Sequence, residues 1–284
     1  TAIGVMRPAR DAIGMRGGYE NFGGQDNVFV GRESGYFNEN GSRNTFLGMG
    51  SGYQNMDGEE NTFVGLKAGY NNQSSRYNTC LGAWAGYRNE FGTYNTFSGH
   101  SAGHENISGA NNSIFGAYAG YANTTGSNNV FIGTGTGSAN IGGNNNTFLG
   151  RLAGYSNVSA SENTFCGKDA GGNTNAGYNC FFGSGAGYAN MNGIDNAFFG
   201  MEAGYFNTVS GNVFIGSHAG YENSIGERNV CVGTSAGRLN HTSHANTMVG
   251  YEAGYNSALF DNVCIGQKAG RANTYGTYNT FVGS

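Results

Sequence analysis

Proline is nearly absent from this sequence, since the 284 residues contain a single one, Pro8. Charged residues account for only 11% of the chain, whereas glycine occurs 53 times. This composition is not that of an ordinary globular domain. The glycines show no three-residue period, which excludes collagen, and the regularly spaced apolar residues argue against disorder.

Long hydrophobic runs and clusters of basic residues are also missing. No run approaches the roughly 18 apolar residues of a membrane-spanning helix, so we expect no membrane insertion. The formal net charge of −4 disfavours nucleic acid as a partner. The five cysteines include no CxxC pair, so the sequence offers no cysteine-rich metal motif.

A repeat of seventeen residues dominates the chain. Its most constant residue is an anchor asparagine, here defined as position 1 of each copy. The steps between anchors are seventeen residues, except for three steps of sixteen that follow Asn163, Asn196 and Asn246. The anchors are Asn27, Asn44, Asn61, Asn78, Asn95, Asn112, Asn129, Asn146, Asn163, Asn179, Asn196, Asn212, Asn229, Asn246, Asn262 and Asn279. Residues 10–26 read as a degenerate first copy.

Each copy reads N-T-F-V-G-x-x-A-G-Y-x-N-x-x-G-x-x, which predicts β-structure. Positions 2 to 4, such as Thr45 to Leu47, combine β-branched and aromatic residues between Asn and Gly, as strands do. A helix would have to accommodate a glycine every few residues at about 1 kcal/mol each. A second short strand is expected over Ala68 to Asn72 and its equivalents.

The predicted fold class is all-β, a parallel β-solenoid (β-roll) of about sixteen 17-residue coils. Residues 1–9 form a lead-in segment and residues 10–284 a single solenoid domain. Coils stacked at roughly 4.8 Å would make a rod of about 75–80 Å.

Stacking places the same position of successive coils directly above one another. The glycines at positions 5 and 9 are expected to serve turns or close backbone contacts. The tyrosines at position 10 are expected to form a column. The anchor asparagines are expected to form an amide ladder, here Asn27, Asn44, Asn61, Asn78, Asn95, Asn112, Asn129 and Asn146.

Positions 3 and 4 are both apolar, although successive strand residues face opposite sides. One of the two columns must therefore lie outside, where copies of the chain would cover it. We predict a homo-oligomer, most simply a trimer, packed along the phenylalanine or the aliphatic column. The interface is assigned to Phe29, Phe46, Phe63, Phe97, Phe131, Phe148, Phe165, Phe181, Phe198, Phe214 and Phe281.

The strand NTFVG with its glycine-rich return resembles the left-handed parallel β-roll heads of trimeric autotransporter adhesins and segments of phage tail fibres. The resemblance covers nearly the whole chain. It implies that Thr45 and Leu47 point inward and that Phe46 faces a trimer neighbour. It also implies a location outside the cell, on the cell surface or on a virion fibre.

Residues that could carry chemistry are few. Two histidine pairs, His100 with His104 and His241 with His244, lack further metal ligands. We therefore expect no catalytic residue, no metal and no cofactor. Position 7 carries Trp84, Tyr118 and Leu152 in every second coil, a patch that could stack on sugars or simply be scattered surface residues.

The two ends suggest head-to-tail contact between copies. Phe281 and Val282 lie in a consensus strand, and Thr1, Ala2, Ile3 and Gly4 imitate positions 2 to 5 of the same strand. β-Augmentation, in which a strand of one copy adds to the sheet of the next, would join such ends into a filament. The alternative is that the sequence is a piece of a longer chain, which explains the two ends equally well.

The sequence therefore favours an extracellular structural fibre or filament subunit that is not an enzyme and whose main partner is itself. The alternative is an adhesin or a receptor- or glycan-binding head, with a host or surface glycan as partner. Ice binding is disfavoured because valines such as Val28 interrupt the threonine column at position 2.

Overall fold

A computed structural model describes residues 11–257 and 260–283. The predicted lead-in segment, residues 1–9, lies outside this part of the chain. The chain divides into two compact units, Thr1–Asn144 and Asn145–Ser284. Each unit is described by itself.

The described residues form 17 strands of three residues each and no helix. No segment of these described residues therefore has the long apolar helix that a membrane crossing by a helix requires. The first unit contains β1 (Asp11–Ile13), β2 (Val28–Val30), β3 (Thr45–Leu47), β4 (Thr62–Val64), β5 (Thr79–Leu81), β6 (Thr96–Ser98), β7 (Ser113–Phe115) and β8 (Val130–Ile132). The second contains β9 (Thr147–Leu149), β10 (Thr164–Cys166), β11 (Cys180–Phe182), β12 (Ala197–Phe199), β13 (Val213–Ile215), β14 (Val230–Val232), β15 (Thr247–Val249), β16 (Val263–Ile265) and β17 (Thr280–Val282).

Each unit is a parallel β-solenoid, as the repeat predicts. Successive strands within a unit pair in parallel, and the register joins equal positions, for example Thr45 with Thr62 and Phe46 with Phe63. The shorter steps keep this register, since Phe165 pairs with Phe181. The missing residue is therefore absorbed in the turn before the anchor asparagine.

The second strand predicted over Ala68 to Asn72 is wrong, because these residues form turns. Lys67 and Gly69 adopt left-handed conformations, with φ of 52° and 56°, that no extended strand allows. Hydrogen bonds to the next coil persist at alternate residues, from Gly69 N to Ala85 O at 2.9 Å and from Asn71 N to Tyr87 O at 2.9 Å. The segment is thus a bent wall of the coil that pairs with the next coil at alternate residues.

The core of most coils combines one large buried side chain at position 3 with a small buried residue at position 8, which is alanine except at Ser34, Ser51 and Thr136. Phe46 and Ala68 have no exposed surface. The phenylalanine rings stack from coil to coil, for example Phe46 on Phe63 at 4.9 Å and Phe181 on Phe198 at 4.7 Å between centroids. Threonine and leucine on either side point outward, so the orientation implied by the family resemblance, with Thr45 and Leu47 inside, is wrong.

Two glycines per coil make this packing possible. At Gly52, with φ of 57°, an added Cβ would lie 2.4 Å from the ring of Phe46. At Gly48, with φ of 137°, it would lie 2.3 Å from the carbonyl oxygen of Gly65 in the next coil. Both separations are far below van der Waals contact, so side chains are excluded by the core at one site and by the adjoining backbone at the other.

Buried asparagines fill the remainder of the coil in two columns. The anchor at position 1 accepts the backbone N–H of the next anchor, as Asn27 Oδ1 does from Asn44 N at 2.9 Å. Its Nδ2 donates across the coil, from Asn44 to Gly58 O at 2.7 Å. Direct amide-to-amide bonds join some anchors, for example Asn78 Nδ2 to Asn61 Oδ1 at 3.2 Å, and they are more regular at position 12, where Asn55 Nδ2 donates to Asn38 Oδ1 at 2.6 Å.

Candidate functional site: an uncharged strand face and an aromatic cluster

The outer strand face comprises the side chains at positions 2 and 4 of the strands. Leu47 is 44% exposed in the first unit, and Ile215 is 41% exposed in the second. Phe182 and Phe199 stack on this face with their centroids 5.2 Å apart. The other exposed large residues at position 4 are Ile13, Leu81, Phe115, Ile132, Leu149, Val249, Ile265 and Val282.

No charged residue occurs at positions 2 or 4 of strands β2 to β17. Charge begins at the margin, where Arg43 at position 17 pairs with Glu59 at 2.9 Å and with Glu60 at 3.0 Å. An uncharged apolar centre with a charged rim is the usual composition of a protein interface.

The assignment of the interface to the phenylalanine column requires correction. Phe29, Phe46, Phe63, Phe97, Phe131, Phe148, Phe165, Phe181, Phe198 and Phe214 lie inside their coils with at most 1% exposure, and Phe281 is half-buried. Side chains in the core cannot contact another copy. Of the two columns considered from the sequence, the aliphatic one faces outward.

The position-10 column forms a continuous stack of rings in the first unit. It runs through Tyr19, Tyr36, Tyr53, Tyr70, Tyr87, His104 and Tyr121, with centroid separations between 4.7 and 5.2 Å. Burial, followed by neighbouring tyrosines, raises the pKa of Tyr70. His104 replaces a tyrosine without breaking the stack, since its ring lies 5.0 Å from Tyr87 and 4.8 Å from Tyr121.

Next to this stack lies an aromatic surface, here called the Trp84 cluster, consisting of Trp84, Tyr87, His100, His104, Tyr118 and Tyr121. Trp84 is 40% exposed, and its ring lies 6.2 Å from that of His100 and 6.1 Å from that of His104. Tyr118 closes the cluster at 5.2 Å from His100 and 6.2 Å from Tyr121. Six rings from three successive coils thus present one aromatic face.

Polar groups flank the Trp84 cluster. Lys67, Trp84, Tyr87 and His104 line a shallow cavity of about 200 Å³. His104 Nδ1 lies 2.7 Å from Glu105 Oε1, and Arg88 Nη1 donates to Glu105 Oε2 at 2.8 Å. The imidazole is therefore fixed in orientation, while Lys67 provides a cation at the cavity wall.

The patch predicted from position 7 is brought together only in part. Trp84 and Tyr118 share the cluster, whereas Leu152 belongs to the second unit. All three have left-handed backbones, with φ between 56° and 63°. The sequence did not indicate that His100 and His104 join Trp84. The signal was available in the spacing, because His104 is at position 10 and therefore in the tyrosine column.

The remaining predicted features are separate from this cluster. His241 Nε2 lies 3.3 Å from Glu222, while His244 Nδ1 accepts the backbone N–H of Glu227 at 3.1 Å. In residues 11–257 and 260–283, no three His, Cys, Asp or Glu side chains are grouped to hold a metal. Of the predicted end-to-end contacts, Thr1 to Gly4 lie outside the described residues, and Phe281 and Val282 belong to β17.

Comparison with known proteins leaves the chain without a family. No protein-family model, curated protein or solved structure matches it. The outer strand face and the Trp84 cluster are therefore the structural features that bear on function.

Proposed function

We propose that this chain is a subunit of an extracellular structural fibre or filament, a non-catalytic scaffold that self-associates through its outer strand face. The observation that carries the proposal is the uncharged, half-exposed apolar column at position 4, which each unit repeats in coil after coil. Leaving such side chains in water forgoes about 1.5–3 kcal/mol for each large one. The resemblance to trimeric surface fibres supports a trimer and an extracellular location.

The partner that fits this face best is a second copy of the chain. Its apolar side chains recur at the spacing of stacked strands, about 4.8 Å. An identical copy offers the same spacing, so that its side chains can interdigitate along the full length of the face. A partner with another repeat would lose register after a few coils.

The oligomeric state of the purified chain tests this proposal. Phe182, Phe199 and Ile215 should be replaced together by threonine, a residue that the chain already places on this face at position 2. We expect the wild type to be an oligomer in multi-angle light scattering. The triple variant should dissociate with an apparent Kd raised by more than about a hundredfold, because three buried side chains are lost.

A matched control removes three exposed apolar side chains of the same unit that lie off the face. Replacing Met191, Phe206 and Ile225 by threonine should leave the oligomer intact. A monomeric wild type at tens of micromolar, or equal dissociation of both variants, would contradict self-association through this face.

The Trp84 cluster favours a second candidate function, binding of a surface glycan. Exposed aromatic rings with adjacent hydrogen-bonding groups suit the apolar faces and hydroxyls of sugars. Here Trp84 supplies the ring, and Lys67 and His104 supply polar groups in the same cavity. The chain would then act as an adhesive head.

A glycan array followed by titration of any bound sugar examines this candidate. Trp84→Ala should abolish saturable binding, whereas Leu152→Ala, at the same position and with a similar φ, should preserve it. Equal binding by both variants would exclude the cluster as the sugar site.

A further inference from the structure

The second unit contains a notch in the row of position-7 side chains. Its row reads Asp169, Gly185 and Glu202 in three successive coils, so the middle coil has no side chain there. The resulting cavity of about 290 Å³, here called the Gly185 notch, is lined by Lys168, Asp169, Gly185, Tyr188, Glu202 and Tyr205, together with Ser184. Tyr188 and Tyr205 stack at 5.0 Å beside the gap.

The charge in this notch is predominantly negative. Lys168 Nζ lies 3.3 Å from Asp169, but its side chain is largely exposed. Glu202 faces His218 Nε2 at 3.1 Å. The pKa of Tyr205 is raised, first by burial and then by Tyr188, Tyr221, Glu202 and Asp169. Both carboxylates of the notch therefore act on the same tyrosine.

Elsewhere the chain shows what a tyrosine and a carboxylate at these positions bind. Glu252 at position 7 and Tyr255 at position 10 together hold the guanidinium of Arg271. Arg271 Nε donates to Glu252 Oε2 at 2.7 Å, and the guanidinium carbon lies 5.1 Å from the centre of the Tyr255 ring. Arg238 lies over Tyr221 and Tyr255 at 5.4 and 5.9 Å.

Glu202 and Tyr205 stand at the same positions as Glu252 and Tyr255, but the position-10 place that Arg271 fills beside Tyr255 is filled beside Tyr205 by Tyr221, whose ring centre lies 5.4 Å away. Among the described residues, the chain's own cations lie over Tyr70, Tyr221 and Tyr255, and none lies over Tyr188 or Tyr205. A cation in the empty position-7 place would lie between the carboxylates of Asp169 and Glu202 and beside Tyr188, as Lys67 at position 7 lies 5.3 Å from the ring centre of Tyr70 in its own coil.

We propose that the Gly185 notch is a binding site for a guanidinium group, such as the side chain of an arginine in a peptide ligand. The guanidinium donates to Glu202 and Asp169 and lies beside the ring of Tyr188. This recognition is separate from the outer strand face and from the Trp84 cluster.

The probe is N-acetyl-arginine amide, titrated at low ionic strength while the tyrosine ring signals are followed by NMR. N-acetyl-citrulline amide is the matched uncharged probe. We expect saturable binding of the arginine compound, weakened by salt, and binding at least about tenfold weaker for citrulline. Equal binding of the two probes overturns the proposal.

Filling the notch from within provides the decisive variant. Gly185→Lys should eliminate binding, since Lys67, also at position 7, places its ammonium 5.3 Å from the ring of Tyr70 in its own coil. Position 7 combines this left-handed backbone, φ of 66° at Gly185, with side chains in the neighbouring coils, and the added Cβ would lie 3.2 Å from Glu202 Cγ, so that the Glu202 side chain must shift slightly. Gly50→Lys is the matched control and should leave binding unchanged.

Glu202→Gln removes a charge without changing the shape of the notch, and it remains informative if Gly185→Lys fails to fold. We expect it to weaken binding of the arginine compound by about tenfold. Retained affinity in Glu202→Gln, or in a folded Gly185→Lys, shows that the guanidinium binds elsewhere and overturns the assignment.

Discussion

At the scale of single residues, each coil is shaped by backbone conformations that most side chains avoid. Besides its glycines, a coil such as that of Asn61 contains Lys67 at φ of 52° and Tyr77 at 61°. A non-glycine residue costs roughly 1–2 kcal/mol in this region. Hydrogen bonds to the preceding coil offset that cost, from Lys67 N to Met49 O at 2.9 Å and from Tyr77 N to Glu59 O at 3.1 Å.

Two glycines of one coil should respond very differently to alanine. Gly52 and Gly50 have similar φ, 57° and 63°, but an added Cβ would be 2.4 Å from the Phe46 ring at Gly52 and 3.4 Å from its nearest neighbours at Gly50. We expect Gly52→Ala to lower the free energy of unfolding by about 2–4 kcal/mol and Gly50→Ala by about 1 kcal/mol. Denaturant unfolding measures both, and equal losses would show that backbone strain alone governs these sites.

The sequence predicted the glycines but not the left-handed residues. Glycine at positions 5 and 9 is nearly constant, and its special conformations are well known. Position 7 instead varies among residues such as Lys67, Trp84 and Tyr118, none of which indicates a positive φ. The conformation there is imposed by hydrogen bonding between coils, so residue type carries no signal of it.

At the scale of the coil, the buried asparagines form hydrogen bonds that repeat from coil to coil, as the stacked aromatic rings do. Asn106 donates to Asn89 Oδ1 at 2.5 Å and to Gly109 O at 2.9 Å, and it accepts from Asn123 Nδ2 at 2.8 Å. All of these groups lie away from water. A buried polar group that loses its partner incurs the full cost of desolvation.

Asn106→Ala should therefore destabilise the first unit well beyond the loss of one hydrogen bond. We expect about 2–4 kcal/mol, because Asn123 and Asn89 each lose a partner in the interior. Hydrogen exchange of the amides around Asn106 would locate the effect. Asn71→Ala, a half-buried residue at position 11, is the control and should cost less than about 1 kcal/mol. A small loss in Asn106→Ala would mean that water replaces the amide.

The strand at positions 2 to 4 could be predicted because β-branched and aromatic residues recur between Asn and Gly. The buried face of the strand could not be predicted, because Phe46 and Leu47 are both apolar. Alternation places them on opposite faces but does not indicate which of the two faces the core. The space beside Gly52 decides the matter, because it admits a flat ring that stacks on the next one. That fit involves residues from opposite walls of the coil, which a local pattern does not reveal.

At the scale of the whole molecule, stability is expected to be the sum of similar contributions from neighbouring coils. Most contacts join residues far apart in the sequence, and equal positions of successive coils pair in the strands. Removing Asn95 to Asn111 deletes one complete coil of the first unit and should leave a folded protein with the remaining register intact. Circular dichroism and exchange protection would show a native spectrum and a modest loss of stability.

Removal of residues 95–102 provides the contrasting deletion. It brings unlike positions against one another, so that rings would face amides and glycines would face side chains. This variant should not fold cooperatively. Equal damage from the two deletions would contradict a stack of interchangeable coils.

The candidate sites were less predictable than the architecture. Trp84 was singled out by its position in the repeat, but the histidines around it come from an adjoining coil and were assigned no role beside it. The Gly185 notch shows in the sequence only as a glycine at position 7 between Asp169 and Glu202, and that residue alone does not indicate a cavity. Both features are departures from the repeat and become visible only when the coils are aligned in space.

The variable side chains at position 7 have a consequence for how this protein can evolve. Their backbone is held by neighbouring coils regardless of residue type, so mutations at Trp84, Gly185 or Glu202 alter the surface with little effect on the frame. Selection can therefore test new ligands one coil at a time against an almost neutral background. In a repeat of this kind the fold can be conserved while the binding specificity changes. Descendants of one ancestral chain can therefore differ widely in what they bind.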